Sequence, residues 1–284
     1  MRGRLRFVSR PIAVAALAMV GLSAPALAAP LPRIVSMNVC TDQLLLPLAD
    51  PTQILGLSRF SHDAWQSWAS QDARRYPSLS GGAEDVLVLK PDVVVVSQFD
   101  KRSTREHLKA QGLRLAEFSL PRNLDEVKAQ IRQMGEIVQH GDRAEAEIAR
   151  LDAAMARARE VVVEKHYSVL PVSRRGWVAG SDNLVSSLLS ETGLFNAVTK
   201  LGVGGGGLVS LEEIVKATPD FLLVSEEGDR AEDEGRAFLL HPALEHFYPP
   251  SKRIVIPERL TVCGGVMLAD ALDVLVSELK RVER

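Results

Sequence analysis

The sequence predicts an α/β fold: two parallel-sheet βα lobes joined by a single long helix. Three observations predict it. Apolar, β-branched runs such as Val93–Val96 alternate with short helical stretches, as in sheets buried on both faces. One such helix–strand unit occurs twice. Between the copies the alternation stops, and a long helical stripe takes its place.

The repeat is GGAEDVLVLKPDVVVVS at 81–97 and GGLVSLEEIVKATPDFLLVS at 206–225. The copies register without a gap: Glu84 falls on Glu212, Pro91-Asp92 on Pro219-Asp220 and Ser97 on Ser225, a constant offset of 128 (219 − 91). Proline excludes the helical conformation from the residue before it, so each helix ends at the Pro-Asp pair. Internal similarity of this kind points to one unit used once in each of two lobes.

The first lobe, 29–123, carries strand signals at Arg33–Ser36, Ile54–Ser58, Val93–Ser97 and Leu113–Phe118. Helical stretches at Asp42–Leu48, Glu84–Leu89 and Thr104–Gln111 lie between them, the last followed by Gly112 at a helix-ending position. A helical region, 124–166, follows. One helix is expected over Leu124–Val138, and Gly141 is expected to break it. In the next, Asp142–Lys165, the residues Ala144, Ile148, Leu151, Met155, Ala158 and Val162 recur in steps of three and four on one face. Those roughly 24 residues would span about 36 Å, enough for a strut across two lobes. The second lobe, 167–284, has strand signals at Ser168–Val172, Phe221–Ser225 and Arg253–Ile256. Its helices are expected at Asn183–Glu191, ended by Gly193, at Leu211–Lys216 and at Val266–Arg281.

Residues 1–28 read as a cleaved signal peptide. Arg2, Arg4, Arg6 and Arg10 precede an apolar stretch, Ile12–Leu22, and a small-x-small end at Ala26-Leu27-Ala28. No cysteine follows that end directly, so an exported, soluble, periplasmic chain is expected. The 34 basic residues less these four leave 30 against 36 acidic ones, without a basic block, which argues against nucleic acid as a partner.

With RIVSMNVCTDQLLLPLADPTQILGLS at 33–58, LKPDVVVVS, the long helix and VSLEEIVKATPDFLLVS, the chain resembles the periplasmic substrate-binding proteins of ABC importers for cobalamin, ferric siderophores and haem. The resemblance covers nearly all of the chain after the leader. It implies a monomer that holds a small-molecule metal chelate in a ligand cleft between the lobes, with small lobe motions, and delivers it to a permease dimer in the inner membrane. No intrinsic cofactor and no protein-bound metal are implied. A ferric siderophore or corrinoid is the expected ligand. Haem, or a divalent Zn/Mn cation, is the alternative. The resemblance also gives Glu84 and Glu212 the role of docking carboxylates, one per lobe, for arginines on the two permease subunits. From the residues alone each reads first as a first-turn acid that suits the helix dipole, and the docking role comes from the resemblance.

Open α/β sheets bind ligands at the carboxyl ends of their strands. That rule selects Met37, Asn38, Cys40, Arg59, Phe60, His62, Trp65 and Gln98 in the first lobe, and Arg174, Arg175, Trp177, Glu226, Arg259 and Cys263 in the second. The tryptophans suit a flat or apolar ligand and the arginines suit carboxylates or phosphate on it. Cys40 and Cys263 should both face the cleft, and three states remain open: a cross-cleft disulfide, two buried thiols, or a thiolate pair reaching a metal in the ligand. His62-Asp63 is too little for a metal site, which needs three or four converging ligands. The run GVGGGG at 202–207 follows no strand and lacks a Gly-Lys-Ser/Thr ending, so it reads as a flexible connector. A reductase- or chelatase-like enzyme is the competing class. The sequence has no Gly-x-Ser-x-Gly and no dinucleotide fingerprint after the first strand, so the chain is read as a binding protein, not an enzyme. A sensor subunit would use the same cleft with a different partner.

Overall fold

The computed structural model describes residues 30–163, 165–225 and 238–282. The expected leader and Glu226 lie outside the described residues. Leu31–Arg284 forms one compact unit.

The first sheet is built from β1 (Ile34–Ser36), β2 (Ile54–Gly56), β3 (Val93–Ser97) and β4 (Leu115–Phe118), in the order β2-β1-β3-β4 and parallel throughout. Every residue of β3 is buried, as its unbroken valine run requires. Helices α1 (Val39–Leu48), α2 (Ser70–Ala73), α3 (Ala83–Leu89) and α4 (Arg102–Ala110) occupy the connections. The second sheet contains β5 (Ser168–Pro171), β7 (Phe195–Asn196), β9 (Phe221–Val224) and β10 (Arg253–Val255), again parallel, in the order β10-β9-β5-β7. Read from the other edge this is β7-β5-β9-β10, the order of the first sheet. The whole strand arrangement is therefore repeated, not only the segment that the sequence shows.

The repeat matches in detail. Helices α3 and α8 (Leu211–Ala217) both end on a left-handed residue, Lys90 with φ 48° and Thr218 with φ 44°. Each is followed by Pro-Asp and a central strand. The carboxylate of Asp92 accepts from the backbone N–H of Arg33 at 2.8 Å, at the mouth of β1. The carboxylate of Asp220 accepts from the N–H of Ser168 at 2.7 Å, at the start of β5. The Pro-Asp pair thus stitches each β3-like strand to its β1-like neighbour.

The two lobes are spanned by α5 (Leu124–Val138) and α6 (Gly141–Val162). Gly141 begins α6 instead of breaking α5. The break falls at Gln139, whose φ of 62° supplies the left-handed cap, with Asn123 capping the other end of α5. The 22 residues of α6 span about 33 Å. Ala144, Ile148, Leu151, Met155, Ala158 and Val162 are all buried, so the stripe faces the core as its period dictates. Helix α6 packs against both α5 and the C-terminal helix Leu268–Val282. Arg157–Asp273 and Arg150–Asp270 pairs tie α6 to that C-terminal helix.

Two local expectations change. Helix α1 starts at Val39, so Asn38 and Cys40 are its cap and first turn instead of free loop. The Asn38 side chain accepts from Cys40 N–H at 3.0 Å, which closes the strand-to-helix turn. The glycine run is not only a connector. Gly207-Leu208 forms β8, paired antiparallel with β6 (Trp177-Val178). Gly180 is glycine for a steric reason: an added Cβ would lie 2.2 Å from the Gly204 carbonyl oxygen.

Candidate functional site

Residues following the strand ends of both sheets meet in a cavity of about 660 Å³. Lobe one contributes Gln98, after β3, and Ser119, Leu120, Pro121 and Arg122, after β4. Lobe two contributes Asp182, Asn183 and Val185 at the start of α7 (Leu184–Thr192), and Thr261 to Gly264 after β10. A contiguous recess of about 300 Å³ reaches the carboxyl ends of β5, β9 and β10, touching Pro171, Leu223, Ser225 and Ile256. A third, about 350 Å³, extends along α5 past Glu117, Gln130 and Gln133. The lining is mixed in character, with amides, hydroxyls and carboxylates set among aliphatic groups.

The seam below the cavity is close-packed. Gly264 of lobe two sits where an added Cβ would lie 2.3 Å from Pro121 Cγ of lobe one and 3.1 Å from Leu184 and Val127. Cys263 beside it is joined to Cys40 of α1 by a disulfide, 223 residues apart in sequence. Of the three states left open, the cross-lobe disulfide is the one found. Gln43 Nε2 donates to Cys263 Sγ at 3.4 Å, while Gln43 Oε1 accepts from Trp68 N–H at 3.2 Å. Trp68 Nε1 donates to Asp270 Oδ2 of the C-terminal helix at 2.6 Å. Arg150 of α6 then meets Asp270 Oδ1 and the Val266 carbonyl, each at 2.7 Å. Lobe one, lobe two and the long helix are thus linked by one continuous set of bonds. At the mouth the lobes also meet through an exposed Arg122–Asp182 pair at 3.4 Å, worth about 0–1 kcal/mol at such exposure.

Asp42 lies in α1, two residues from Cys40, fully buried. It accepts from Ser58 Oγ at 2.5 Å and Ser58 N–H at 3.1 Å. Burial away from water raises its carboxyl from 3.8 to about 7, against the pull of those hydrogen bonds.

Of the side chains singled out by sequence, Gln98, Arg174 and Cys263 line these cavities. His62 does not: its Nε2 lies 3.0 Å from the Ala73 carbonyl and 3.2 Å from that of Tyr76, inside lobe one. Met37 packs against the core of lobe one beside β1. Asn38 donates to Asp100 Oδ1. The Arg59 guanidinium lies 4.5 Å over the Phe60 ring, and Phe60 packs on the core. Trp65 is exposed on the loop after β2, and Trp177 is exposed in the β6–β8 ribbon. Arg175 takes a left-handed turn position with φ 59°, and Arg259 lies in the short turn Glu258–Leu260. Glu84 and Glu212 sit exposed in the first turns of α3 and α8.

Sequence reasoning passed over Ser119, Leu120 and Arg122, although the strand-end rule reaches them. They follow β4 as Gln98 follows β3. It also passed over Asp182 and Asn183, because a two-residue strand such as β6 leaves no period to read.

A family profile described as "Periplasmic binding protein" matches residues 34–249. The chain belongs to that family. A curated "Cobalamin-binding protein" of Halobacterium salinarum is 22% identical over 217 residues, 73% of this chain and 57% of that protein. The chain therefore spans little more than half the length of that relative. Among solved structures, the haem-binding protein RhuT of Roseiflexus sp. RS-1 in apo form is similar, with TM-score 0.71 and 24% identity over 90% of this chain and 100% of that one. The vitamin B12 binding protein BtuF of Vibrio cholerae gives TM-score 0.66 and 15% identity over 90% and 99%. At these identities the likeness speaks for the fold, the two-lobe architecture of periplasmic binding proteins. Among the described residues no helix is long and apolar enough to cross a membrane.

Proposed function

We propose that this binding protein is the solute-capturing component of an ABC import system. It holds a metal chelate, a ferric siderophore or a corrinoid, in the interlobe cleft and delivers it to a permease in the inner membrane. The observation that carries the reading is the cavity of about 660 Å³ formed jointly by both lobes at their strand ends. Its described lining holds no histidine, tyrosine or methionine. A haem iron would find no such axial donor there, whereas a chelate whose metal is already saturated needs none. Among the described residues no three His, Cys, Asp or Glu side chains group closely enough to hold a bare cation.

The delivery step falls to Glu84 and Glu212. Their neighbours Asp85 and Glu213 are occupied: Asp85 accepts from Ser80 N–H and Glu213 from Ser210 N–H, both at 2.7 Å. The Ser80 hydroxyl and N–H hold the Asp85 carboxyl, and the Ser210 N–H and hydroxyl hold the Glu213 carboxyl, below their usual range. Glu84 and Glu212 are left exposed at equivalent places on two topologically equivalent lobes, suited to a two-fold partner. The chain is read as exported through its N-terminal leader and as acting without turnover.

Tryptophan-fluorescence titration tests the class. The panel is hydroxocobalamin, several ferric siderophores, haem, and Zn²⁺ and Mn²⁺ salts. Saturable one-to-one binding of a corrinoid or siderophore, recovered unchanged, is expected. Binding of haem alone, or of a bare cation alone, would replace the chelate reading, and chemical conversion of any panel member would replace the binding reading.

A further inference from the structure

We infer that the Cys40–Cys263 disulfide is a thiol-exchange site, opened by a dithiol, whose opening releases the wall of the ligand cleft. The inference deepens the cleft reading above and rests on it only for the effect on ligand.

The bond joins α1 of lobe one to the segment Thr261–Val266 of lobe two. Thr261, Val262, Cys263 and Gly264 of that segment all line the main cavity. At its far end the Val266 carbonyl is held by Arg150. Cutting the disulfide therefore frees one side of a segment that is cleft wall. It leaves the other side pinned, and it cuts no link inside either sheet.

The two sulfurs are also unequal. Cys263 is 1% exposed and receives the Gln43 N–H. Cys40 is only partly buried, in the first turn of a ten-residue helix. An incoming thiolate reaches Cys40 more readily than the buried Cys263; burial disfavours the Cys263 thiolate, and the facing Gln43 N–H offsets part of that cost as it leaves. One thiolate of the dithiol attacks Cys40 Sγ, the Cys40–Cys263 bond breaks, and Cys263 leaves as a thiolate facing Gln43. The second thiolate of the dithiol attacks the sulfur of its own mixed disulfide, and Cys40 leaves into the N-terminal turn of α1. The dithiol is oxidised to a disulfide, and its two electrons and two protons end on Cys40 and Cys263.

The experiment uses the full chain. The native oxidised protein is treated with glutathione, quenched in acid, and the adduct is mapped by mass spectrometry. A mixed disulfide on Cys40 is expected. An adduct on Cys263, or none without denaturant, overturns the exchange. Amide exchange over 261–267 is then compared in oxidised and dithiothreitol-treated protein. A rise of about tenfold is expected there with the sheets unchanged, and equal exchange overturns the release. Gln43→Met should make reduction in a glutathione buffer about tenfold less favourable. If that variant does not fold, the wild-type adduct and exchange data still decide. Hydroxocobalamin and ferric siderophores are titrated in both redox states, with at least tenfold weaker binding expected after reduction. Equal binding in both states overturns the link to ligand. If the oxidised protein binds no panel member, the chelate reading has failed, and the adduct and amide exchange still judge the disulfide.

Discussion

Asp42 is the residue whose chemistry departs furthest from its appearance in sequence. In VCTDQLLL it reads as an acid in the first turn of a helix, where charge is welcome. In the fold it is fully buried, and its carboxyl is pushed up to about 7. It binds a proton more tightly folded than unfolded, so the folded state holds the extra proton between about 3.8 and 7. Stability therefore falls as pH rises through that window and levels off above it, a change of up to about 4 kcal/mol. Calorimetry between pH 5 and 8 should show the melting temperature falling with pH, and Asp42→Asn should flatten the slope. An unchanged slope in the variant would place the dependence elsewhere. The burial of Asp42 was not legible because it depends on Ser58, sixteen residues away and brought beside it by β2. Arg122 was legible and overlooked, since it lies past β4 under the same rule that selects Gln98.

At the scale of elements, what could be read was what carries a period. The valine run of β3 and the six-residue stripe of α6 were both visible, since each repeats one environment many times over. The β6–β8 ribbon was not, because two residues per strand show neither alternation nor a face. The α3 and α8 units stand between these cases. Their matched acids are visible in sequence, as is the Ser-x-x-Glu capping form of Ser210 and Glu213, and the caps show the same division of labour in both lobes: Asp85 and Glu213 bond backbone N–H groups, while Glu84 and Glu212 face solvent. Glu84→Ala combined with Glu212→Ala should change folding stability by less than about 0.5 kcal/mol, as exposed substitutions do. Ligand titration should also be unchanged. Stimulation of the permease's ATP hydrolysis by loaded protein should be lost. Intact stimulation would remove these carboxylates from the docking surface and leave them as helix-dipole partners.

At the scale of the whole molecule, two lobes with the same strand order share one hydrophobic cluster, and each keeps a further cluster of its own. Ile34, Val93 and Val95 of the first sheet belong to the same cluster of buried side chains as Val169, Phe221 and Ile254 of the second, with Leu151 and Met155 of α6 among them. A lobe that unfolded alone would expose its half of that cluster and strip the other lobe of its packing. Hinge closure of large amplitude would do the same, so the cleft is expected to accept ligand with little lobe motion. The chain should then unfold in one transition, with calorimetric and van't Hoff enthalpies equal and with tryptophan fluorescence coincident with far-UV dichroism. Met155, at 2% exposure, tests the point at its centre. Met155→Ala should cost about 2–5 kcal/mol. Because its cavity would open inside a core common to both sheets, the single transition should move to lower temperature and stay single. A variant that split the melt into two steps would show the lobes to be separate folding units, and would remove the physical basis for a cleft of fixed width.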